Sequence, residues 1–388
     1  MSDTTAPASA LPLAGIRVLE LCQNLSGPFA GEILASLGAQ VLKVERPEGD
    51  DARAWGPPFV GDTAAAFHAV NHGKHSVTLD LKEPQAMHWL KSQLADADVL
   101  LQNLRPGAMD ELGLDAAALQ ALNPRLVVCA IGAFGHRGPM AMQPGYEPMV
   151  QAFAGLWSVN GDAAGPATRV GVPLLDLGSG LWAALGCVAA LHRRHATGVG
   201  GMVDTSLLET ALGWLGAALP IYSLTGQLPI RHRSGSPVLV VFQSFETADT
   251  EVVVGAANER LFARLCAVLG HPEWASDPRY ASNALRVQHK AELLAGMEPL
   301  FRAATTQTWI DRLQAAGIPC APVNDLDAIS RAEQVQAIGQ LQTLSGIDLP
   351  VVALPLSFDG VRPPVQAAAP SLGEHNTLYG LPAPRPDR

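Results

Sequence analysis

Up to about residue 135, short runs of apolar residues alternate with longer segments in which apolar residues recur every three or four positions. The short runs are typical of buried strands, and the periodic segments are typical of helices with one buried face. The predicted elements are, in chain order, strand 16–21, helix 29–37, strands 40–44 and 76–81, helix 84–94, and strands 98–101 and 126–131. Strands separated by helical segments indicate right-handed βαβ crossovers and therefore a parallel sheet.

Later segments follow a different pattern, in which helices outnumber strands. The predicted elements are a long helix over residues 177–195, a second helix from Thr205, a strand at 251–255, and helices at 258–269, 290–301 and 306–316. Residues 228–236 are rich in Pro, Arg, His, Gly and Ser, as connectors are. We therefore predict an α/β fold, with a Rossmann-like parallel-sheet large domain (residues 1–224 and 326–388) and a smaller α+β domain (residues 225–325).

One stretch, residues 210–230, contains no charged side chain and raises the question of a membrane span. It includes Pro220, Pro229 and several polar residues, which a spanning helix tolerates poorly. We interpret it as a buried helix that ends near Pro220. Residues 1–13 contain no Lys or Arg and no long apolar core, so they do not have the pattern of a secretory signal. We expect a soluble, cytoplasmic protein without a membrane partner.

The amino-acid composition excludes several further classes of protein. Of 388 residues, 48% are hydrophobic and 16% are charged, which excludes a disordered chain because so apolar a sequence can bury a sizeable core. The net charge of -10 argues against a nucleic-acid or anionic-membrane partner. The five cysteines are widely spaced and form no CxxC motif, so we expect reduced, buried thiols.

The first βαβ unit has the outline of a nucleotide site, but its turn at residues 22–28 lacks the GxGxxG pattern that approaches a pyrophosphate. Arg46 follows the second strand, where a guanidinium either grips a phosphate or forms an ordinary surface salt bridge. His68, His72 and His75 lie close together in the chain, yet no nearby acid or cysteine completes a set of metal ligands. We therefore predict no metal site.

Asp176 is a lone carboxylate in an apolar, glycine-rich segment, residues 171–180, near the start of the long predicted helix. A carboxylate there is either the N-cap of the helix or an accessible nucleophile at its N-terminus, and the two roles are compatible. The small neighbours leave room for a bulky substrate, and helix amides stabilise negative charge.

Short motifs run in order along nearly the whole chain. They are LAGIRVL at 13–19, GP at 27–28, LGA at 37–39, VERP at 44–47, NHGK at 71–74, LDLK at 79–82, NLRPG at 103–107, GYE at 145–147, QA at 151–152, Asp176, RHATG at 194–198, GIP at 317–319 and LGEH at 372–375. Each motif is weak alone, but their order and spacing are specific. Together they resemble the family III coenzyme A transferases, the group that contains formyl-CoA and carnitine-CoA transferases.

The resemblance implies an enzyme that moves CoA from an acyl-CoA donor to a free carboxylic acid. Asp176 is then the covalent nucleophile, which passes through an aspartyl-CoA thioester, and Glu147 is the second catalytic residue. CoA is a substrate, and no permanently bound cofactor is implied. The residues implied to bind it are Ser26, Arg46, Leu79, Lys82, Asn103, Arg105 and Tyr146.

The resemblance also implies a homodimer in which each chain is a ring threaded by the other. The chain departs from the family pattern at Leu25, where the formyl-CoA enzyme has Gln, at His75, and at Glu111, where an Arg is often found. These departures bear on the phosphate contacts and on the choice of acid.

Two other functions share parts of this pattern. The α-methylacyl-CoA racemases have the same fold, but their pattern places a proton-transferring His after Gly145, where this chain has Tyr146. A non-catalytic acyl-CoA-binding protein has no need for the carboxylate of Asp176. Arg231, His232 and Arg233 either form a solvated linker or meet the distal carboxylate of an acceptor acid.

Overall fold

A computed structural model describes residues 11–384 of the chain. Its strands are β1 (Arg17–Leu21), β2 (Gln40–Glu45), β3 (Phe59–Val60), β4 (Thr63–Ala64), β5 (His75–Thr78), β6 (Val99–Gln102), β7 (Val127–Gly132), β8 (Gly201–Ser206), β9 (Phe242–Glu246), β10 (Glu251–Gly255), β11 (Cys320–Pro322), β12 (Leu341–Thr343) and β13 (Pro350–Val352). Its α-helices are α1 (Ser26–Ser36), α2 (Ala65–Asn71), α3 (Pro84–Asp96), α4 (Ala108–Glu111), α5 (Ala116–Leu122), α6 (Glu147–Phe153), α7 (Leu156–Val159), α8 (Leu174–Thr197), α9 (Leu207–Trp214), α10 (Ala218–Thr225), α11 (Glu259–Val268), α12 (Asn283–Gln288), α13 (Lys290–Phe301), α14 (Thr306–Ala315), α15 (Leu326–Arg331) and α16 (Glu333–Ala337).

The described chain divides into two compact units. The first consists of the residues up to 156, residues 169–219 and the residues from 333 onward, and the second consists of residues 157–168 and 220–332. The sequence-based domain boundaries near residues 225 and 325 stay a prediction.

The first unit contains a parallel sheet of six strands in the order β5-β2-β1-β6-β7-β8. This is the order of a doubly wound sheet, in which the chain starts near the centre, builds to one edge, and then builds to the other. The predicted mixed α/β fold with a parallel sheet is confirmed. The sequence pattern does not predict β8, because only Met202 and Val203 of this edge strand are apolar.

Helices cover both faces of this sheet, as a buried parallel sheet requires. Val18 and Cys22 belong to an apolar cluster that includes residues of α1 and α8. Leu19 and Leu21, which alternate with them, belong to a second cluster that includes residues of α3 and α5. The sheet is therefore the middle layer of three.

Glu20, between these apolar residues of β1, is fully buried among charged groups. Its carboxylate oxygens lie 3.2 Å from Lys43 Nζ and 2.8 Å from Lys74 Nζ. Lys43 also donates to the carbonyl of Cys22 at 2.8 Å and lies 2.9 Å from the Asp50 carboxylate. Because an unpaired buried charge is strongly destabilising, these groups hold the loop after β1 close to β2.

The second unit contains an antiparallel sheet of three strands in the order β11-β10-β9, and its apolar core includes residues of α11, α13 and α14. Arg286 of α12 is fully buried and donates to three backbone carbonyls of this unit. Arg231 donates to the carbonyl of Asp162 at 2.9 Å, and Arg233 contacts Glu251. Both arginines therefore have partners within their own unit.

Two helical segments differ from the sequence-based expectation. Helix α1 begins at Ser26 and includes Pro28, because a proline in the first turn lacks only an N–H that the helix leaves unpaired there. The uncharged stretch contains the end of α9 and the whole of α10, and Pro220 lies in the first turn of α10. Helix α10 contains no buried residue, so the expectation of one buried helix ending near Pro220 is wrong.

Helix α8 is long and apolar enough to cross a membrane by length and composition alone. Half of its most apolar window is buried inside the protein. Helices α9 and α10 meet the same criterion only if they are taken as one bent span.

Candidate functional site

The order of the strands reverses between β1 and β6, and doubly wound sheets bind ligands in the crevice outside the carboxyl ends of the strands at this point. A cleft of about 1000 Å³ lies here. Its walls come from the loops that follow β1, β2, β5, β6 and β7, and from the first turns of α6 and α8. A volume of this size is at the upper end of the range for small-molecule sites.

The residues that the family resemblance assigns to CoA binding and chemistry come together at this cleft, with one exception. Those that line it are Ser26, Arg46, Lys82, Asn103, Arg105, Tyr146, Glu147 and Asp176. Leu79 instead lines a second cavity of about 430 Å³, whose walls also include Arg46 and Lys82. The grouping follows from the topology, because parallel strands present their carboxyl ends at the same edge of the sheet.

Asn103 joins the two loops at the point where the strand order reverses. Its Oδ1 accepts a hydrogen bond from the Gln23 N–H, and its Nδ2 donates to the Gln23 carbonyl, both at 2.8 Å. One side-chain amide therefore binds both backbone groups of Gln23. In this arrangement Asn103 holds the loop after β1 against the loop after β6. A ligand that binds Asn103 would have to share its side-chain amide with Gln23.

The two arginines of the cleft each contact an acid. Arg46 contacts Asp51, and Arg105 contacts Glu111, with all four side chains well exposed. Within residues 11–384, Lys82 takes part in no salt bridge. An anionic ligand would therefore compete with two carboxylates for the guanidinium groups but would meet a free ammonium at Lys82.

Asp176 lies in the first turn of α8. The interpretation of Asp176 as the N-cap is wrong, because α8 begins at Leu174 and the cap position is Pro173, which offers no side-chain hydrogen bond. A proline can precede a helix without loss because its backbone has no N–H to leave unpaired. The carboxylate is therefore not used to cap the helix and lines the cleft.

Gly178 and Gly180 bring α8 close to its neighbours. A methyl group at Gly180 would lie 2.6 Å from the carbonyl oxygen of Ser26, and one at Gly178 would lie 2.7 Å from a side-chain carbon of Thr210. These two glycines therefore serve packing against α1 and α9, whereas a methyl group at Gly171 would meet no atom within 4 Å. The expectation that the small neighbours of Asp176 make room for substrate stays a prediction. The close approach fixes the end of α8 from which Asp176 projects.

Glu147 is the first residue of α6 and is only 3% exposed. One carboxylate oxygen lies 3.0 Å from Arg169 Nη2, and the other contacts Gln151 Nε2. Tyr146, the preceding residue, is 64% exposed. The cleft thus receives a buried acid with fixed partners beside an aromatic ring that is open to solvent.

Asp176 has an unusual affinity for its proton. Burial, and then the negative charge of Glu147, raise the pKa of Asp176 to about 7, while the Arg169 guanidinium acts in the opposite direction. At neutral pH the carboxyl is therefore divided between its protonated and ionised forms. Such a carboxylate is more basic than usual, and perturbed acids of this kind are typical of catalytic sites.

Arg169 is the partner in this site that the sequence interpretation does not single out. Its contact with Glu147 joins residues 22 positions apart, which no local motif reveals. One signal is present in the sequence, since Arg169 is the single Lys or Arg between residues 138 and 192. A buried acid in so apolar a segment has few other cations available.

Two of the clustered histidines, His68 and His72, are buried. His72 Nε2 lies 3.2 Å from the carboxylate of Glu32. Residues 11–384 contain no group of three His, Cys, Asp or Glu residues that could hold a metal ion.

Comparisons with known proteins agree over nearly the whole chain. A family model described as CoA-transferase family III matches residues 13–376. An acetyl-CoA:oxalate CoA-transferase of Acetobacter aceti is 36% identical, and a succinate–glutarate CoA-transferase of Agrobacterium fabrum is 35% identical, each match covering 96% of both chains. The crystal structure of a CAIB/BAIF family protein from Brucella suis superimposes with a TM-score of 0.87 at 33% identity, covering 95% of this chain and 98% of that chain.

Replacing Asp176 with Asn tests the environment of this carboxyl through stability. The folded pKa of about 7 lies above the usual value near 4, so the folded protein holds a proton that the unfolded chain has lost between these pH values. Wild-type stability should therefore fall relative to Asp176→Asn as the pH rises from 5 to 8. We expect the variant to be more stable at pH 8 by about 2 to 4 kcal/mol, measured by urea unfolding.

The control is Asp96→Asn, which alters an exposed carboxylate at the end of α3. Its stability difference from wild type should be small and should not vary strongly between pH 5 and 8. A difference for Asp176→Asn that is also constant with pH would show that the Asp176 pKa is ordinary.

Proposed function

The chain belongs to CoA-transferase family III and is a CoA-transferase, and from this premise we propose that it works through an aspartyl-CoA thioester on Asp176. The observation that carries the proposal is the Asp176 carboxyl, which lines the cleft and whose pKa is raised to about 7. A basic carboxylate at neutral pH is a competent nucleophile toward a thioester.

The first half of the reaction loads CoA onto the enzyme. A carboxylate oxygen of Asp176 attacks the thioester carbonyl, the carbon–sulfur bond breaks, and CoA leaves as a thiolate. The product is a mixed anhydride between the donor acid and Asp176. The thiolate then attacks the Asp176 carbonyl carbon, which forms the aspartyl-CoA thioester and releases the donor acid as a carboxylate.

The second half repeats these steps with the acceptor acid. Its carboxylate attacks the aspartyl thioester, CoA thiolate leaves, and the thiolate then attacks the acceptor carbonyl of the new anhydride. Asp176 is released as a carboxylate, and the acceptor leaves as its CoA thioester. Every step transfers an acyl group between a carboxylate oxygen and a thiolate sulfur without a change of oxidation state, so the proposed chemistry calls for no metal and no redox cofactor.

We assign Glu147 a catalytic role at the same place. Its buried negative charge helps to raise the pKa of Asp176, so it makes the nucleophile more basic. The names of two relatives, which act on oxalate and on succinate and glutarate, support a short dicarboxylic acid as the exchanged acid.

For CoA we propose a binding site along the cleft and the adjoining cavity. Arg46, Lys82 and Arg105 suit the phosphates, since they are the basic groups at the carboxyl ends of the strands. The further contacts would come from Ser26, Leu79, Asn103 and Tyr146. Tyr146, directly before Glu147, would lie nearer the thioester.

Asp176→Ala should lower the rate of transfer by at least about 10³-fold, because the site offers no other proposed nucleophile. The assay supplies acetyl-CoA or succinyl-CoA as the donor and oxalate or glutarate as the acceptor. Wild-type enzyme incubated with acyl-CoA alone should form a hydroxylamine-sensitive CoA adduct on the peptide that contains Asp176. The control Asp96→Asn should retain activity and the adduct.

Near-normal turnover by Asp176→Ala, or an adduct on a different residue, would refute the mechanism.

Glu111 should weaken CoA binding by occupying Arg105. Arg105→Ala should raise the KM for acyl-CoA about tenfold by removing a charge-assisted contact, with a smaller change in kcat. Glu111→Gln should lower the KM, since the guanidinium is then free for phosphate. Lys91→Ala, on the exposed side of α3, serves as the control and should leave both constants unchanged. An effect of Arg105→Ala on kcat alone would place this residue near the thioester instead.

We further propose that the protein is a cytoplasmic homodimer whose two chains interlock, as the family resemblance implies. It would have no nucleic-acid or membrane partner. An exposed apolar face supports association. It is formed by Leu181, Trp182 and Leu185 of α8 together with Leu212 and Trp214 of α9. Few soluble monomers expose so many large apolar side chains side by side.

Sedimentation at nanomolar concentration should show twice the chain mass of 40.7 kDa and no folded monomer. Leu185→Glu should disrupt this species by placing a charge in the apolar face. Leu378→Glu, at an exposed leucine away from α8 and α9, should leave it intact. A stable and active species of single-chain mass would contradict the dimer.

A further inference from the structure

Gln151, in the middle of α6, is fully buried and binds both backbone groups of a single residue. Its Oε1 accepts a hydrogen bond from the Val170 N–H at 3.1 Å, and its Nε2 donates to the Val170 carbonyl at 3.3 Å. The Gln151 amide thus pairs with the backbone of Val170 as a neighbouring β-strand would. It anchors the segment that leads into α8, six residues before Asp176.

Arg169 precedes this anchored residue and makes the second link to α6. Its Nη2 lies 3.0 Å from a carboxylate oxygen of Glu147, and Gln151 contacts the other oxygen. The Glu147 side chain is 3% exposed, whereas 44% of the Arg169 side chain remains exposed. Arg169 therefore supplies the countercharge that a buried carboxylate needs, while staying in reach of water.

We propose that Arg169 and Gln151 are positioning residues of the transfer reaction, which together hold Glu147 in place and fix the segment that carries Asp176 into the cleft. The proposal rests on the proposed role of Asp176 as the nucleophile. Neither residue lines the cleft, so both act through Glu147 and Asp176 and not through contact with CoA.

The charges around Asp176 give this arrangement a measurable consequence. Glu147 raises the pKa of Asp176 and Arg169 lowers it, so Arg169 offsets the charge of the acid that it holds. Other charged groups on the elements packed against α8 are Glu32 of α1, which contacts His72, Glu209 of α9, which contacts Ser206, and Asp204, which is exposed on β8. The basic residues of α8 itself, 192–195, lie at its far end, roughly 24 Å along the helix.

The test compares three variants. Arg169→Gln removes the charge, and we expect kcat to fall about tenfold to a hundredfold while the KM for acyl-CoA changes less than about twofold. The acidic limb of the pH profile of kcat/KM should move to higher pH. Without the guanidinium, the carboxyls of Glu147 and Asp176 take up a proton more readily. Arg169→Lys should return the limb to its wild-type position and recover part of kcat. Gln151→Leu should lower kcat and move the limb less than Arg169→Gln does, since it removes a hydrogen bond to Glu147 but no charge.

Arg125→Gln is the matched control, because this exposed arginine lies outside the cleft and its guanidinium donates to the carbonyl of Gly198. It should leave kcat and the pH profile unchanged. Thermal unfolding and CoA binding establish that each variant is folded. If Arg169→Gln fails to fold, Arg169→Lys and Gln151→Leu still decide the question through kcat and the pH limb.

Wild-type kcat and an unshifted limb in Arg169→Gln would overturn the proposal. Equal losses in Arg169→Gln and Arg169→Lys with no shift of the limb would also overturn it, because they would indicate a purely structural role. Trapping of the CoA adduct separates this inference from the proposed mechanism. An adduct on wild-type Asp176 with unaffected Arg169 variants refutes only the positioning role, whereas no adduct on the wild type refutes the mechanism.

Discussion

The geometry of the cleft depends on the buried Glu20 carboxylate and the two lysines that neutralise it. Isolated charge inside a protein is strongly destabilising, so Lys43 and Lys74 cannot leave Glu20 without severe loss of stability. The same ammonium groups also bind the carbonyls of Cys22 and Pro28. One ionic cluster thereby fixes the strand, the loop that follows it, and the first turn of α1.

Packing of α8 against the start of α1, which follows this loop, sets the position of the Asp176 carboxyl. Helix α1 begins at Ser26, and α8 approaches the Ser26 carbonyl so closely that only Gly180 fits there. Gly178 allows an equally close approach to α9. Side chains at these two glycines would force the helix outward, and Asp176 would move with it. The glycine-rich segment is therefore part of the scaffold that positions the proposed nucleophile.

Burial and neighbouring charges then set the pKa of the Asp176 carboxyl. Burial alone makes Asp176 hold its proton more tightly, and the neighbouring Glu147 strengthens this effect. Arg169 opposes this increase in the pKa of Asp176 and supplies a cation beside the two acids. The balance keeps Asp176 both basic and partly ionised near neutral pH, which are the two properties that the proposed attack on a thioester requires.

The sequence by itself determined the elements with strong periodicity and the parallel sheet, which depend on local patterns and on the short strands between helices. The site residues were implied by the family resemblance, and all of them except Leu79 line the cleft, because parallel strands end at one edge of the sheet. Tertiary structure alone decided that β8 completes the sheet, that Asp176 lies inside the first turn of α8, and that Arg105 contacts Glu111. It also decided that Gln151 anchors Val170 and that Asn103 binds Gln23, contacts that span 19 and 80 positions. Such contacts depend on which side chains the folded chain brings together, and no local periodicity carries that information.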